Sequence, residues 1–394
     1  MHPPRTNRPD PLRIELAHAV GYPNYPDDAS AEPHLNYITA RNLHRGTQDE
    51  YIRLFIRVIE YFKKGQSNKG QHSSSVCIQA LLDGLAASDA EDVFADTRPN
   101  SRFRKEDVED TVLYIFGVWS MMLSSFLRIG NDARAIRDPY PEETGRYLIY
   151  GADHDDYQSH LADFIRLHAT RLNAYTLNVF GALEIYWTHD ISRHMLLSQR
   201  GGRFRVEIFA LPCAFQATTL TSEVVGISAE LAQEIKESYG ILFNAWPDSS
   251  LHAKLGFLLG IRKVCPCWSC SANRFRNKTI SAFKHGCTTA TGTSRKAKRR
   301  RPLDSGSGFD PLLEELMNGE DVSDWTYDLF PHLWQRIAIL EAHLQRAKPW
   351  SIWILFRDRR DTLQFWTFGF ATIVVLLTFL QVALGVAQVV GSFK

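Results

Sequence analysis

From Phe365 to Val390 the chain reads FWTFGFATIVVLLTFLQVALGVAQVV, without one charged residue. At ~1.5 Å rise per residue a helix of this run is about 39 Å long, more than the ~30 Å hydrocarbon core of a bilayer. A globular core seldom hides so long an uncharged helix, so the run predicts one C-terminal transmembrane helix. Arg357, Arg359 and Arg360 precede it and only Lys394 follows. The positive-inside bias then leaves the N-terminal bulk in the cytosol. With only Gly391–Lys394 beyond the span, insertion is expected after synthesis, as in tail-anchored proteins. The length of the run favours a membrane of the secretory pathway. Trp350, Trp353 and Phe356, three apart, fit either an interfacial aromatic belt or a last core helix. Ala383, Ala387 and Gly391 at four-residue spacing, and Gln381 with Gln388 on another face, offer surfaces for self-association, although such residues are also ordinary in a solitary span.

A second uncharged run, Thr111–Leu127, is at the lower limit for spanning. It carries Ser120, Ser124 and Ser125 and follows Glu106, Asp107, Glu109 and Asp110. Carboxylates at its start complement the positive end of a helix dipole, so a buried helix is expected there rather than a second span.

The rest of the chain has globular composition. Of 394 residues 44% are apolar, and 45 Lys+Arg against 44 Asp+Glu leave a net charge of +1. That balance excludes bulk disorder and a chain-wide nucleic-acid-binding surface, and nucleic acid is not an expected partner. Six cysteines are too few for a disulfide scaffold, and the opening residues lack the apolar core of a signal peptide, so a reducing compartment is expected.

Residues 1–48, rich in Pro, Asp, Asn and His, read as an irregular arm. A mainly helical cytosolic domain is expected over 49–263. Ile52, Phe55, Val58, Ile59 and Phe62 mark one amphipathic helix; Ser74–Leu85, Glu106–Leu127 and Leu161–Val179 read as others. The period then changes to two. Leu183–Thr188, Arg193–Ser198 and Arg203–Leu211, with Gly201-Gly202 between the last two, predict a small antiparallel hairpin sheet with Arg205 and Glu207 on its wet face. Ser228 and Ser250 are N-caps of two further helices. Residues 264–308 read as a Cys-containing, basic linker. Over 309–361 a helical stalk is expected, from Asp310-Pro311 and from the helix Leu333–Leu344. Residues 362–394 form the anchor. The fold class is thus mainly α with a small antiparallel β-hairpin sheet (α+β), plus one C-terminal transmembrane helix.

Chemistry concentrates in the linker. Cys265, Cys267 and Cys270, followed by His285 and Cys287, supply thiol and imidazole ligands for a structural zinc ion, and Cys267-x2-Cys270 has knuckle spacing. The His285-x-Cys287 half is tighter than zinc motifs usually are. S-acylation of clustered cytosolic thiols, and plain free thiols, account for the same residues. Arg295, Lys296, Lys298, Arg299, Arg300 and Arg301 form a polyanion- or lipid-contacting run, or a solvated stretch of linker. Asp153, His154, Asp155 and His160 offer metal-type ligands without a recognised spacing, and a solvated turn explains them equally. Gly65–Gly70 begins like a phosphate loop but continues Gln71-His72, lacking the lysine and hydroxyl that the chemistry requires. His189 and His194 flank the hairpin and read as structural.

Four blocks carry a resemblance. Leu172-Asn-Ala-Tyr-Thr-Leu177, Trp187-Thr188 with Ser192-Arg-His194, Phe209-Ala-Leu-Pro-Cys213, and Arg357-Asp-Arg-Arg360 before the apolar tail resemble those of uncharacterised filamentous-fungal membrane proteins with a C-terminal transmembrane segment. The similarity covers most of residues 105–390. It implies a terminal span and one continuous cytosolic domain, and no activity. The expectation is a non-enzymatic adaptor or regulatory protein that meets an unidentified protein partner at a membrane; the alternative is a membrane-tethered enzyme whose metal or acid/base residues converge only in three dimensions.

Overall fold

A computed structural model describes residues 10–41, 48–67, 105–123, 166–200, 202–222, 225, 227–246, 265, 267–291, 308–319, 323–347 and 362–392. The N-terminal segment corrects the expectation of an irregular arm. Its Asp, Pro and Gly residues are helix punctuation. Asp10 caps α1 (Pro11–Val20) by accepting from the Leu12 N–H, Pro11 fills the first turn, and Gly21 ends the helix at φ 110°. The second helix, α2 (Glu32–Ala40), follows with Pro33 in its first turn. Arg13 joins the two, donating to Glu32 and to Asn36 Oδ1 at 2.6 Å. Leu16, Ala17, Val20, Leu35, Tyr37 and Ile38 are buried in the main core.

The helix α3 (Gln48–Ser67) lies against α1 and buries Phe55, Val58, Ile59 and Phe62, the stripe that the 3.6-residue period selects. Against it packs α4 (Lys105–Trp119), with Phe62 5.4 Å from Phe116 and 6.3 Å from Trp119, centroid to centroid. Val112, Ile115, Val118 and Trp119 are buried, and the Trp119 indole donates to Thr219 Oγ1 at 3.0 Å. The described part of that run, residues 111–123, therefore packs in the core.

Residues expected to continue one helix from Leu161 to Val179 instead give a short strand and a short helix. Strand β1 (Arg166–Leu167) pairs with β5 (Trp325–Thr326), and α5 (Ala174–Val179) starts from a reciprocal capping box of Asn173 and Thr176. The main sheet comprises β2 (Glu184–Thr188), β3 (Leu196–Arg200) and β4 (Arg203–Phe209) in the order β2-β4-β3. The β3–β4 hairpin is antiparallel, with Gly202 at φ 77°. β2 runs parallel to β4, so the sheet is mixed rather than antiparallel. Parallel neighbours need a crossover, and the outgoing hairpin strand β3 supplies it from the far edge.

The expected wet face is not wet throughout. Glu207 is buried, and Arg193 Nε and Nη2 donate to its two oxygens at 2.5 and 2.6 Å. Tyr239, from α6 (Ala229–Phe243), donates to the Phe209 carbonyl at 2.6 Å; Ser228 caps that helix as its sequence predicts.

Two further segments depart from their expected roles. The linker region contains α7 (Trp268–Thr291), a long helix whose Ile280 is buried and whose Phe283 ring meets Trp187 at 5.0 Å. In place of a stalk, α8 (Pro311–Met317) and α9 (Trp334–Arg346) bury Leu313, Met317, Ile337, Leu340 and Leu344 in the same core. Asp310 caps α8 and also accepts from the Cys213 N–H at 2.7 Å. Last comes α10 (Thr362–Ser392). Among the described residues it is the one helix long and apolar enough to cross a membrane; its most apolar stretch, Gly369–Val386, is 0% buried.

Candidate metal centre

Three sulfurs converge where the chain enters α7. One Sγ each from Cys265, Cys267 and Cys270 lies within 4.8 Å of the others. Cys267 sits just ahead of the helix and Cys270 in its first turn, so the i, i+3 spacing puts both on one face. The Cys270 N–H donates to Cys267 Sγ at 3.4 Å, spending one of the first-turn donors that an α-helix leaves without an internal acceptor.

Burial alone raises the Cys267 thiol. The Cys270 N–H, the Cys265 and Cys270 thiols and the Arg274 guanidinium outweigh it, and the net pKa falls below that of an ordinary thiol. Cys270, penalised first by burial and then by its hydrogen bond and charge repulsion with Cys267, is pushed up to about 11. The helix dipole favours negative sulfur here as well.

An aromatic wall backs the cluster. Trp268 stacks on Trp246 at 5.7 Å and meets Tyr175 and Phe180 at 5.9 and 5.5 Å. Behind it, the crevice lined by Asn173, Tyr175, Leu242, Trp246 and Phe275 has no room for a water molecule. The three thiols can hold a metal ion, cysteine sulfur being a ligand of soft and borderline cations.

The other two expected ligands are elsewhere. His285 lies fifteen residues beyond Cys270 on the same unbroken helix, which sets them about 22 Å apart along the axis. His285 is exposed and Cys287 half-buried, its thiol raised by burial. A single helix cannot return to its own start, so the five-residue ligand set reduces to three. The basic run Arg295, Lys296, Lys298, Arg299, Arg300 and Arg301, and the group Asp153, His154, Asp155 and His160, lie outside the described residues.

Two buried titratable groups of the core hold backbone and hydroxyl groups. His194 Nδ1 accepts from the Phe209 N–H at 3.2 Å, which fixes the proton on Nε2, 2.8 Å from Ser238 Oγ. Glu234 accepts from the backbone N–H groups of His332 and Leu333 at 3.2 and 3.0 Å. Neither arrangement opens to solvent on the His194 and Glu234 side, both being buried. Sequence reasoning did not single out Glu234, whose partners lie about a hundred residues away on another element.

The sequence blocks around Leu172, Phe209 and Cys213 hold backbone and cap contacts of the core. Asn173 and Thr176 cap α5, the Leu172 carbonyl accepts from the Trp325 indole at 2.9 Å, and Phe209 and Cys213 offer backbone groups to Tyr239 and Asp310. The block at Arg357–Arg360 lies outside the described residues. No protein-family model matches the chain, and neither a curated protein nor a solved structure matches it.

Proposed function

We propose that this chain is a membrane-anchored, non-enzymatic interaction protein. On this reading α10 spans the bilayer once, and the folded helical part faces the cytosol as an adaptor or regulatory partner of another protein. The observation that carries the reading is the exposure of α10: Val375, Phe379 and Val382 are 67, 72 and 61% exposed, where a soluble helix of this composition would be covered. The packed core supports the non-enzymatic half, since its buried histidines are engaged in structural hydrogen bonds or ring contacts. Arg357, Arg359 and Arg360 set the orientation, and Arg299–Arg301 add lipid contact. Zinc is the ion assigned to the three-thiol cluster, because sulfur-rich sites in reducing compartments are its commonest structural use.

Alkaline carbonate extraction tests the anchor. The full-length chain should stay in the membrane pellet, and deleting residues 361–394 should release it. Extraction of the intact chain, or retention of the truncated one, overturns the proposal. Proximity labelling from the N-terminus in intact cells then identifies the partner; a cytosolic set lost on truncation is the expected result.

A further inference from the structure

Resting on that zinc assignment, we propose that Cys265, Cys267 and Cys270, without His285 or Cys287, are ligands of one zinc ion, and that this ion clasps the entry turn of α7, which carries Trp268.

Tetrahedral zinc with Zn–S of about 2.3 Å needs sulfurs about 3.8 Å apart. The three thiols lie within 4.8 Å of one another, so a contraction of about 1 Å, within reach of cysteine rotamer adjustment, completes the set. A disulfide would consume two of these sulfurs and strand the third; a metal uses all three. Three thiolates and one Zn2+ leave a net charge of −1. That charge falls at the N-terminal end of a long helix, with Arg274 one turn further on. Cys265 and Cys267 are half-exposed, giving the ion a way in, while Cys270 is buried and anchors the inner edge. The fourth position is left to water or to a donor outside the trio, because the length of α7 holds His285 and Cys287 away.

The clasp has a local job. Beyond its first turns α7 has its own attachments: Arg276 donates to Asn244 Oδ1 at 3.0 Å, Phe283 meets Trp187, and Lys284 pairs with Glu314. Its start leans on Trp268 and on the thiols. Zinc therefore fixes the turn that carries Trp268, whose ring stacks on Trp246 and meets Tyr175.

Full-length protein in detergent, metal content by mass spectrometry, and hydrogen exchange before and after chelation test this. Wild type should carry one zinc per chain. C267S and C270S should lose it, whereas H285A and C287S should keep it. Chelation of wild type should raise exchange over 265–272 and leave 276–286 protected, with reversal on adding zinc. Refilling with cobalt should give a thiolate-to-cobalt charge-transfer band, a readout that does not depend on any variant folding. Absence of stoichiometric metal, or hydroxylamine-sensitive acyl mass on these cysteines, removes the zinc assignment itself. Zinc retained in C270S or lost in C287S removes the three-thiol set while leaving zinc in place. Unchanged exchange on chelation removes the clasp.

Discussion

Replacing Arg193 with Met isolates what burial does to an ion pair in this fold. Arg193 and Glu207 form a two-bond pair at 2.5 and 2.6 Å, with side chains only 12 and 5% exposed. When Arg193 is removed, the Glu207 carboxylate is left inside the central strand without its cation and without access to bulk water. Breaking one side of such a buried pair costs about 3–5 kcal/mol. The same sheet holds a control: Arg203 and Glu184 pair at 2.9 Å but are 73 and 43% exposed. Screened pairs of that kind contribute about 0–1 kcal/mol. Thermal unfolding of full-length protein in detergent, followed by near-UV circular dichroism, should show Arg193→Met melting about 6–20 °C lower, and Arg203→Met within about 4 °C of wild type. Adding Glu207→Met to Arg193→Met removes both charges and should recover most of the loss, since uncharged side chains of similar volume often replace a buried pair at little cost. Equal shifts for the two single variants, or a double variant no better than Arg193→Met, would refute the reasoning.

Acid should destabilise the fold well above carboxylate titration. Burial pushes His34, His189 and His194 down to about 3, with nearby Arg41 and Arg336 adding to the effect at the latter two. The unfolded chain takes up these protons near pH 6.5 and the native state does not, so stability is lost as pH falls from about 6.5 towards 3, by about 2 kcal/mol per histidine between pH 7 and 5; melting temperatures flat over that interval would contradict it. Gly21→Ala should cost about 2–3 kcal/mol in chemical denaturation, because φ is 110° and the new Cβ would lie 2.5 Å from Thr218 Oγ1 and 2.7 Å from its backbone N. Asn173→Ala should cost about 1–2 kcal/mol through loss of the cap on Thr176 N, and a loss no larger than that of a surface Ala substitution would show that the capping box is idle.

Elements whose signal is local were legible in the sequence. The anchor announces itself by missing charge, α3 and α6 by their apolar period, and α6 and α8 by Ser228 and Asp310 at their starts. What escaped was set by distance or by misleading composition. The Asp and Pro content of the N-terminal segment reads as loop, although Asp10 and Pro11 are helix punctuation and α1 is too short to show a long stripe. In α7 the apolar positions Ala272, Phe275, Ile280 and Phe283 are thinned by Arg274, Arg276, Lys278 and Lys284, so basic content outweighed periodicity. Glu207 follows the alternation of an exposed face, and the contact with Arg193 that keeps it inside is a tertiary one. The thiol trio was legible from spacing. The exclusion of His285 and Cys287 was not, since it depends on the helix continuing unbroken between them and Cys270.

Packing of α8 and α9 into the core also limits, on the proposed reading, how far the domain can stand from a membrane. A flexible stalk would let the folded part range freely above the bilayer. Instead α9 is tied in by Arg336, which donates to the His194 and Ser192 carbonyls at 2.5 and 2.7 Å, and by Glu234 at the backbone of His332 and Leu333. Fifteen peptide steps separate Ala347, at the end of α9, from Thr362, at the start of α10. Even fully extended they reach about 50 Å. The C-terminal end of α9 is thus held within a protein diameter or so of the span, and the basic residues Arg357, Arg359 and Arg360 occupy the nearer half of that reach, where anionic headgroups attract them. On the proposed reading a partner bound to the domain is then met near the membrane surface, and truncating α10 should abolish that proximity.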